Sequence, residues 1–174
     1  MHAIDAHPIP DSYWVEPQRI LAGEYPGARD EAEAREKIRR ILCAGVTCFV
    51  DLTVAGEGGL RPYAALAQEE AEALGRRVEH RRRPIEDLSV PTREQILAIL
   101  AEIEAISAGG GVPYVHCWGG IGRTGTVVGC LLVRRGMRGE EAIARIAALR
   151  RGTPDGWKRS PETPQQVEMV LGFR

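Results

Sequence analysis

Lysine is almost missing from this chain, occurring only at Lys37 and Lys158, and arginine supplies the rest of the positive charge. That bias follows as readily from base composition as from function. With a formal net charge of -1, the chain has no general attraction for nucleic acid or an anionic membrane, so any basic site must be local. Cysteine is scarce: Cys43, Cys48, Cys117 and Cys130 show no paired metal-ligand spacing and are too few for a disulfide framework in 174 residues. Long apolar runs are absent too, the longest being VVGCLLV at 127–133, far short of a bilayer span. The first residues, MHAIDAHPIPDSYW, lack the basic segment and apolar stretch of an export signal, so a reducing cytoplasm is the expected location and no membrane insertion or nucleic-acid partner is expected. There is no internal repeat, and the length fits a single domain over 1–174.

What is present is an alternation of strand-like and helix-like segments. Residues 1–18, with prolines and no period, read as an extended lead-in, followed by the short apolar piece RILAG. Asp30 and Glu33 open a helix that places Ile38, Ile41 and Leu42 on one face and ends at Gly45. VTCFVDL, 46–52, reads as a buried strand, GEGGLRPY as a loop and 62–75 as a second helix. RRVEHRRRP, 76–84, is strand-like; its arginines either protect an exposed sheet edge or raise the potential at a nearby pocket. Thr92 and Gln95 form a capping-box pattern for a helix with Ile96, Ile99, Leu100, Ile103 and Ile106 at helical spacing. VPYVHC is a short apolar strand, and TGTVVGCLLVRRG a helix apolar on most faces, hence central. Two helices close the chain, the last with Thr163 as N-cap, Pro164 in its first turn and Gln166 at N3. The expected fold is α/β, a central mostly parallel sheet of about four or five strands flanked by helices.

The stretch VHCWGGIGRTG, 115–125, holds two spacings that imply different chemistry. Read from Gly120 it has the glycine pattern of a dinucleotide turn, but that fold needs a second strand and an acidic residue after the helix, and another helix follows instead. A Walker phosphate loop fails as well, because Arg123 stands where its lysine belongs. Read from His116, the stretch is coherent at every position. A loop of Trp118, Gly119, Gly120, Ile121 and Gly122 between strand end and helix start can turn successive N–H groups inward as an anion cradle. Arg123, in the first turn, can offer a planar fork to two phosphate oxygens. Cys117 lies at the base of the cradle, where N–H dipoles and the guanidinium favour thiolate over thiol and make a nucleophile for phosphorus. Thr124 can donate its hydroxyl to that sulfur, and His116, pointing to the other side of the strand, is placed to order the loop. His2, His7 and His80 have no paired ligand spacing and read as structural or surface residues.

His116, Cys117, Arg123, Thr124 and Gly125 in this setting resemble the signature of the cysteine-dependent protein tyrosine and dual-specificity phosphatases. The likeness extends to both ends of the chain, DSYWVEPQRILAGEYPGA and SPETPQQVEMVLGF, which look like those of small bacterial members. It implies phosphomonoester hydrolysis through a phosphocysteine, with no metal or other cofactor, on phosphotyrosine and also phosphoserine or phosphothreonine in proteins. Phosphate, sulfate and vanadate are the implied pocket ligands. Such a reaction needs an acid to protonate the leaving oxygen. The resemblance of PIEDLSVP to the general-acid loop of small dual-specificity phosphatases places it at Asp87, with Glu86 as the competing carboxylate. Gln166 either positions the hydrolytic water, as a glutamine does near the end of tyrosine phosphatases, or caps its own helix. Cys43 and Cys48 read as small buried apolar residues, or as partners for a protective disulfide with Cys117. The alternatives are a phosphoinositide or inositol-phosphate phosphatase, whose usual loop lysines are missing from WGGIG, and a phosphate-binding module that no longer catalyses.

Overall fold

Helix ends are set by side chains that satisfy backbone groups left over at each terminus. The computed structural model describes residues 7–174. Its first helix, α1 (Glu31–Cys43), starts where the Asp30 carboxylate accepts from the Glu33 N–H at 2.9 Å, and it stops just before Gly45, at a φ of 105° that side chains disfavour. After α2 (Ala64–Ala73), α3 (Arg93–Ala108) opens with the reciprocal capping box of Thr92 and Gln95. The chain continues through α4 (Gly122–Arg134), α5 (Gly139–Leu149) and α6 (Pro164–Gly172). Thr163, Pro164 and Gln166 occupy the cap, first-turn and N3 positions of α6 as expected.

The strands are β1 (Ser12–Glu16), β2 (Ile20–Gly23), β3 (Cys48–Asp51), β4 (Glu79–Arg82) and β5 (Pro113–His116), arranged β1-β2-β5-β3-β4. β1 and β2 form an antiparallel hairpin, and every other pairing is parallel. This is the expected α/β architecture, with five strands in the sheet. The stretch expected as an extended lead-in is more than that in its described part. Ser12 to Val15 are buried in the hairpin, and the regular alternation that marks a half-exposed strand is missing because both sheet faces are covered. His2 lies outside the described residues.

Side-chain alternation assigns each face to its helices. Tyr13, Ala22, Val115 and Val50 face α3 to α6, packing in one core with Leu100, Leu131 and Ile146. Trp14, Leu21, Tyr114 and Phe49 face α1 and α2, against Ile38, Ile41 and Ala67. The register aligns Gly23, His116, Asp51 and Arg82 at the carboxyl ends of the parallel strands. The loops leaving those ends therefore gather on one edge of the sheet, where α/β folds place ligands.

The basic segment forms the outermost strand, and its arginines are held by carboxylates: Arg81 and Arg83 by Glu102 of α3, at 3.1 and 2.6 Å, and Arg82 by Asp51 at 3.0 Å. That is the protected-edge arrangement. The disulfide alternative has no geometric support. Cys48 is level with Pro113, four residues before Cys117, so about 13 Å of strand separates them, whereas bridged Cα atoms lie under about 7 Å apart. Cys43 is exposed at the end of α1, on the connection that leads into the amino end of β3, away from the carboxyl edge.

Candidate active site

β5 is the middle strand of the sheet and is buried along its length. Alternation at its end sends His116 to the α1–α2 face and Cys117 to the α4 face, as expected. His116 Nδ1 lies 3.0 Å from the Cys117 carbonyl, which can only accept, so Nδ1 carries the proton. Nε2 of the neutral ring is then the acceptor for the Tyr63 hydroxyl, 2.5 Å away. Complete burial drives the His116 pKa down to about 4, although Asp51 opposes the shift. The histidine thus clamps the start of the loop as a neutral group. Asp51, next to it in register, is charged and fully buried. Burial opposes that charge, but hydrogen bonds from His80 and Thr53 hold its carboxyl well below the usual range. His80 is accordingly a structural partner of Asp51.

The loop after Cys117 turns at Gly120, where φ is 71° and a β-carbon would collide with the Gly23 carbonyl. Gly120 therefore seats the loop on the end of β2. Trp118, Gly119, Ile121, Gly122 and Arg123 line a cavity of about 250 Å³ together with Cys117. The amino end of α4 begins at Gly122, so its free N–H groups and dipole add to the field there. Trp118 is 46% exposed and forms part of the rim.

Arg123 is almost wholly buried, and both of its terminal nitrogens are engaged. Nη1 donates to Glu57 Oε2 at 2.8 Å and to the Ile85 carbonyl at 3.0 Å; Nη2 donates to Glu57 Oε1 at 2.6 Å and lies 3.0 Å from Asp87 Oδ1. Although burial pushes the other way, the bonds from Arg123 hold the Glu57 carboxyl below its ordinary value. Glu57 was not singled out from sequence. The available signal was a lone carboxylate among glycines, GEGG, a few residues after a buried strand. Asp87 lies in a turn closed by the Ser89 N–H on the Glu86 carbonyl, 3.1 Å, with Leu88 at a φ of 58°. The turn brings Asp87 to the cavity, and Glu86 does not line it.

One sequence expectation changes, and of the two readings of Gln166 the structure shows the cap. The Thr124 hydroxyl is buried and makes no hydrogen bond among the described residues, so the expected donation to Cys117 is absent. Its place in the first turn of the most enclosed helix directs it where no acceptor stands. Gln166 is fully buried; Oε1 accepts from the Glu162 and Thr163 N–H groups at 3.1 and 3.0 Å, and Nε2 donates to the Ser89 carbonyl at 3.1 Å. It caps α6 and also ties that helix to the turn bearing Asp87. The cavity further includes Asp155, Lys158 and Glu162, which went unread in what looked like a plain loop. That loop is shaped by buried Arg150, which donates to the Lys158 and Asp155 carbonyls at 2.7 and 2.8 Å.

A cysteine at the end of a central parallel strand, facing a buried guanidinium across a glycine turn, defines the class of α/β proteins that hold an oxyanion against a thiol. Within that class, residues 10–166 match the family described as "PTP-SAK: Swiss Army Knife protein, DSP-PTPase phosphatase domain", and the chain belongs to it. Over 125 residues it is 31% identical to the protein named as tyrosine phosphatase 067L of invertebrate iridescent virus 3, covering 70% of this chain but only 45% of the viral protein. The crystal structure of Tk-PTP in its active form is 28% identical, with a TM-score of 0.71 over 95% of this chain and 98% of that one. PTPMT1 in complex with PI(5)P shares the fold, with a TM-score of 0.70 at 22% identity and 93% coverage of each chain.

Proposed function

We propose that this chain hydrolyses phosphomonoesters, chiefly phosphotyrosine and also phosphoserine or phosphothreonine in proteins, through a phosphocysteine. The observation that carries this reading is the meeting of Cys117, Arg123 and Asp87 at one cavity beside the amino end of α4. The phosphoryl oxygens bind the loop N–H groups and take Nη2 of Arg123, which frees Asp87 from its ion pair to take up a proton from solvent. The Cys117 thiolate attacks phosphorus, the bond from phosphorus to the leaving oxygen breaks, and that oxygen takes the proton carried by Asp87. Water then attacks the phosphocysteine, Asp87 accepts its proton, and the sulfur–phosphorus bond breaks to release phosphate and the thiolate.

Charge at the cavity favours a monophosphate over a polyphosphorylated lipid. Asp87, Asp155 and Glu162 face Arg123 and Lys158, and Lys158 is itself 2.9 Å from Asp155. The PI(5)P-bound relative shares only the fold with this chain.

The test is hydrolysis of p-nitrophenyl phosphate in EDTA, followed by phosphopeptide, inositol-phosphate and phosphoinositide panels. Cys117→Ser is expected to fall to background. Asp87→Asn is expected to lose about 100-fold or more on phenyl phosphate, whose leaving group is poor, and less on the p-nitrophenyl ester. Activity that requires added metal, or that survives in Cys117→Ser, overturns the reading.

A further inference from the structure

Trp118 has a second side. Opposite the catalytic cavity it walls another hollow of about 200 Å³, bounded by Arg29, Arg61 and the turn at Gly58, where a β-carbon would collide with the indole. One tyrosine frames this hollow. The Tyr25 N–H donates to the Trp118 carbonyl at 2.7 Å, its hydroxyl donates to the Arg61 carbonyl at 2.7 Å, and its ring leaves no space for a β-carbon on Gly27, two residues before Arg29. The backbone of both arginines is thereby fixed relative to the catalytic loop.

Of the three positive charges there, two are available. Lys37, in the same hollow, is 3.2 Å from Glu24 and donates to the Tyr25 carbonyl at 2.8 Å. Arg29 and Arg61 are exposed and have no ion pair or side-chain hydrogen bond among the described residues. A third hollow of about 210 Å³ shares both arginines and runs on past Pro62 and Leu66, so the depressions form an elongated track leading away from the catalytic cavity. An extended polypeptide fits such a track better than a compact headgroup does.

Building on the phosphatase reading, we propose that Arg29 and Arg61 form a second anion subsite, which takes an acidic or phosphorylated side chain flanking the phosphorylated residue of a protein substrate. The catalytic cavity, with its three carboxylates, offers no such place. Specificity then comes from across Trp118, by paired guanidinium contacts to a carboxylate or second phosphate.

The experiment compares kcat/KM for three phosphotyrosine peptides, with neutral, glutamate-rich or phosphoserine-containing flanks, and for a soluble inositol bisphosphate. The full chain should prefer the anionic peptides by about tenfold, a free-energy difference of about 1.4 kcal/mol, and the preference should shrink as salt rises. In Arg29→Glu/Arg61→Glu the ratio of anionic to neutral peptide should fall to one or below. Arg77→Glu, just before β4, reverses one charge away from the hollow where the double variant reverses two within it, and should leave the ratio unchanged. Equal rates on all three peptides, an unchanged ratio in the double variant, or a preference for the inositol bisphosphate that the double variant abolishes would each sink the subsite. Absent or cysteine-independent turnover of p-nitrophenyl phosphate would instead sink the phosphatase reading itself.

Discussion

At the scale of single residues, Arg123 shows how a buried charge is kept useful. A guanidinium sealed from water needs a carboxylate, yet it must still have donors to offer an oxyanion. Glu57 meets both needs by gripping Nη1 and Nη2 end-on, while the Ile85 carbonyl takes the second Nη1 hydrogen. Its own oxygen is anchored by the Val54 N–H at 2.9 Å, so the grip is rigid. Glu57→Ala leaves Arg123 buried with its main partner gone, and is expected to cost about 3 kcal/mol of folding stability. The misplaced fork should also raise KM for p-nitrophenyl phosphate about tenfold, with a smaller change in kcat. Glu57→Gln keeps the acceptor and the shape, so it should recover most of the KM effect while regaining only part of the stability. Denaturant unfolding and steady-state kinetics on the three proteins decide this, and a Glu57→Ala chain with unchanged KM would remove the positioning role.

At the scale of elements, α4 joins the two halves of the site, since its first turn carries Arg123 and its body packs on α6. The contact is close because Gly129 has no side chain: a β-carbon there would lie 2.6 and 2.8 Å from the two γ-carbons of buried Val170. Alanine would add helix propensity worth about 1 kcal/mol. The collision with a stiff β-branched neighbour is expected to outweigh it, for a net loss of about 1–2 kcal/mol. Gly129→Ala should therefore lower the melting temperature, and adding Val170→Ala should relieve the clash, leaving the double variant more stable than the two single effects summed. Simple additivity would show that α4 and α6 do not press on each other here. Because Gln166 links α6 to the Ser89 carbonyl, the same displacement should reach the turn carrying Asp87. Most of these elements were legible beforehand for physical reasons. Asp30, Thr92 and Thr163 announce their helices by capping chemistry that acts within one turn, and β2, β3 and β5 declare themselves as short apolar runs. β1 was not legible, because a strand covered on both faces at a hairpin edge shows no alternation.

At the scale of the whole molecule, the same contrast governs the site. Cys117 and Arg123 are close in sequence, so their spacing alone singled both out for the cavity they line. Asp87 was found through a local loop pattern. Asp155 and Glu162 reach the site through the fold, with nothing in their immediate neighbours to indicate it, and Glu57 is marked only by the glycines around it. The Asp51–His116 pair is another such long-range product: the parallel register of β3 and β5 puts both side chains in the interior, 3.9 Å apart. It has a consequence for acid stability. The folded-state pKa of His116 is about 4, against 6.5 when unfolded, so between those values the unfolded chain binds the extra proton. The neutral ring's contribution is thus fully present above pH 6.5 and is lost as pH falls towards 4. Its size is about 3 kcal/mol. Asp51 acts in the same direction at lower pH, since a carboxyl held below its ordinary value stabilises the fold above that value and ceases to do so as acid protonates it. Unfolding free energy measured in denaturant should therefore decline steadily from pH 7 to 4. His116→Gln, which keeps hydrogen-bonding groups but cannot titrate, should flatten the upper part of that slope while starting from a lower stability. If wild type and His116→Gln lose stability in parallel over this range, proton uptake by His116 is not what weakens the fold.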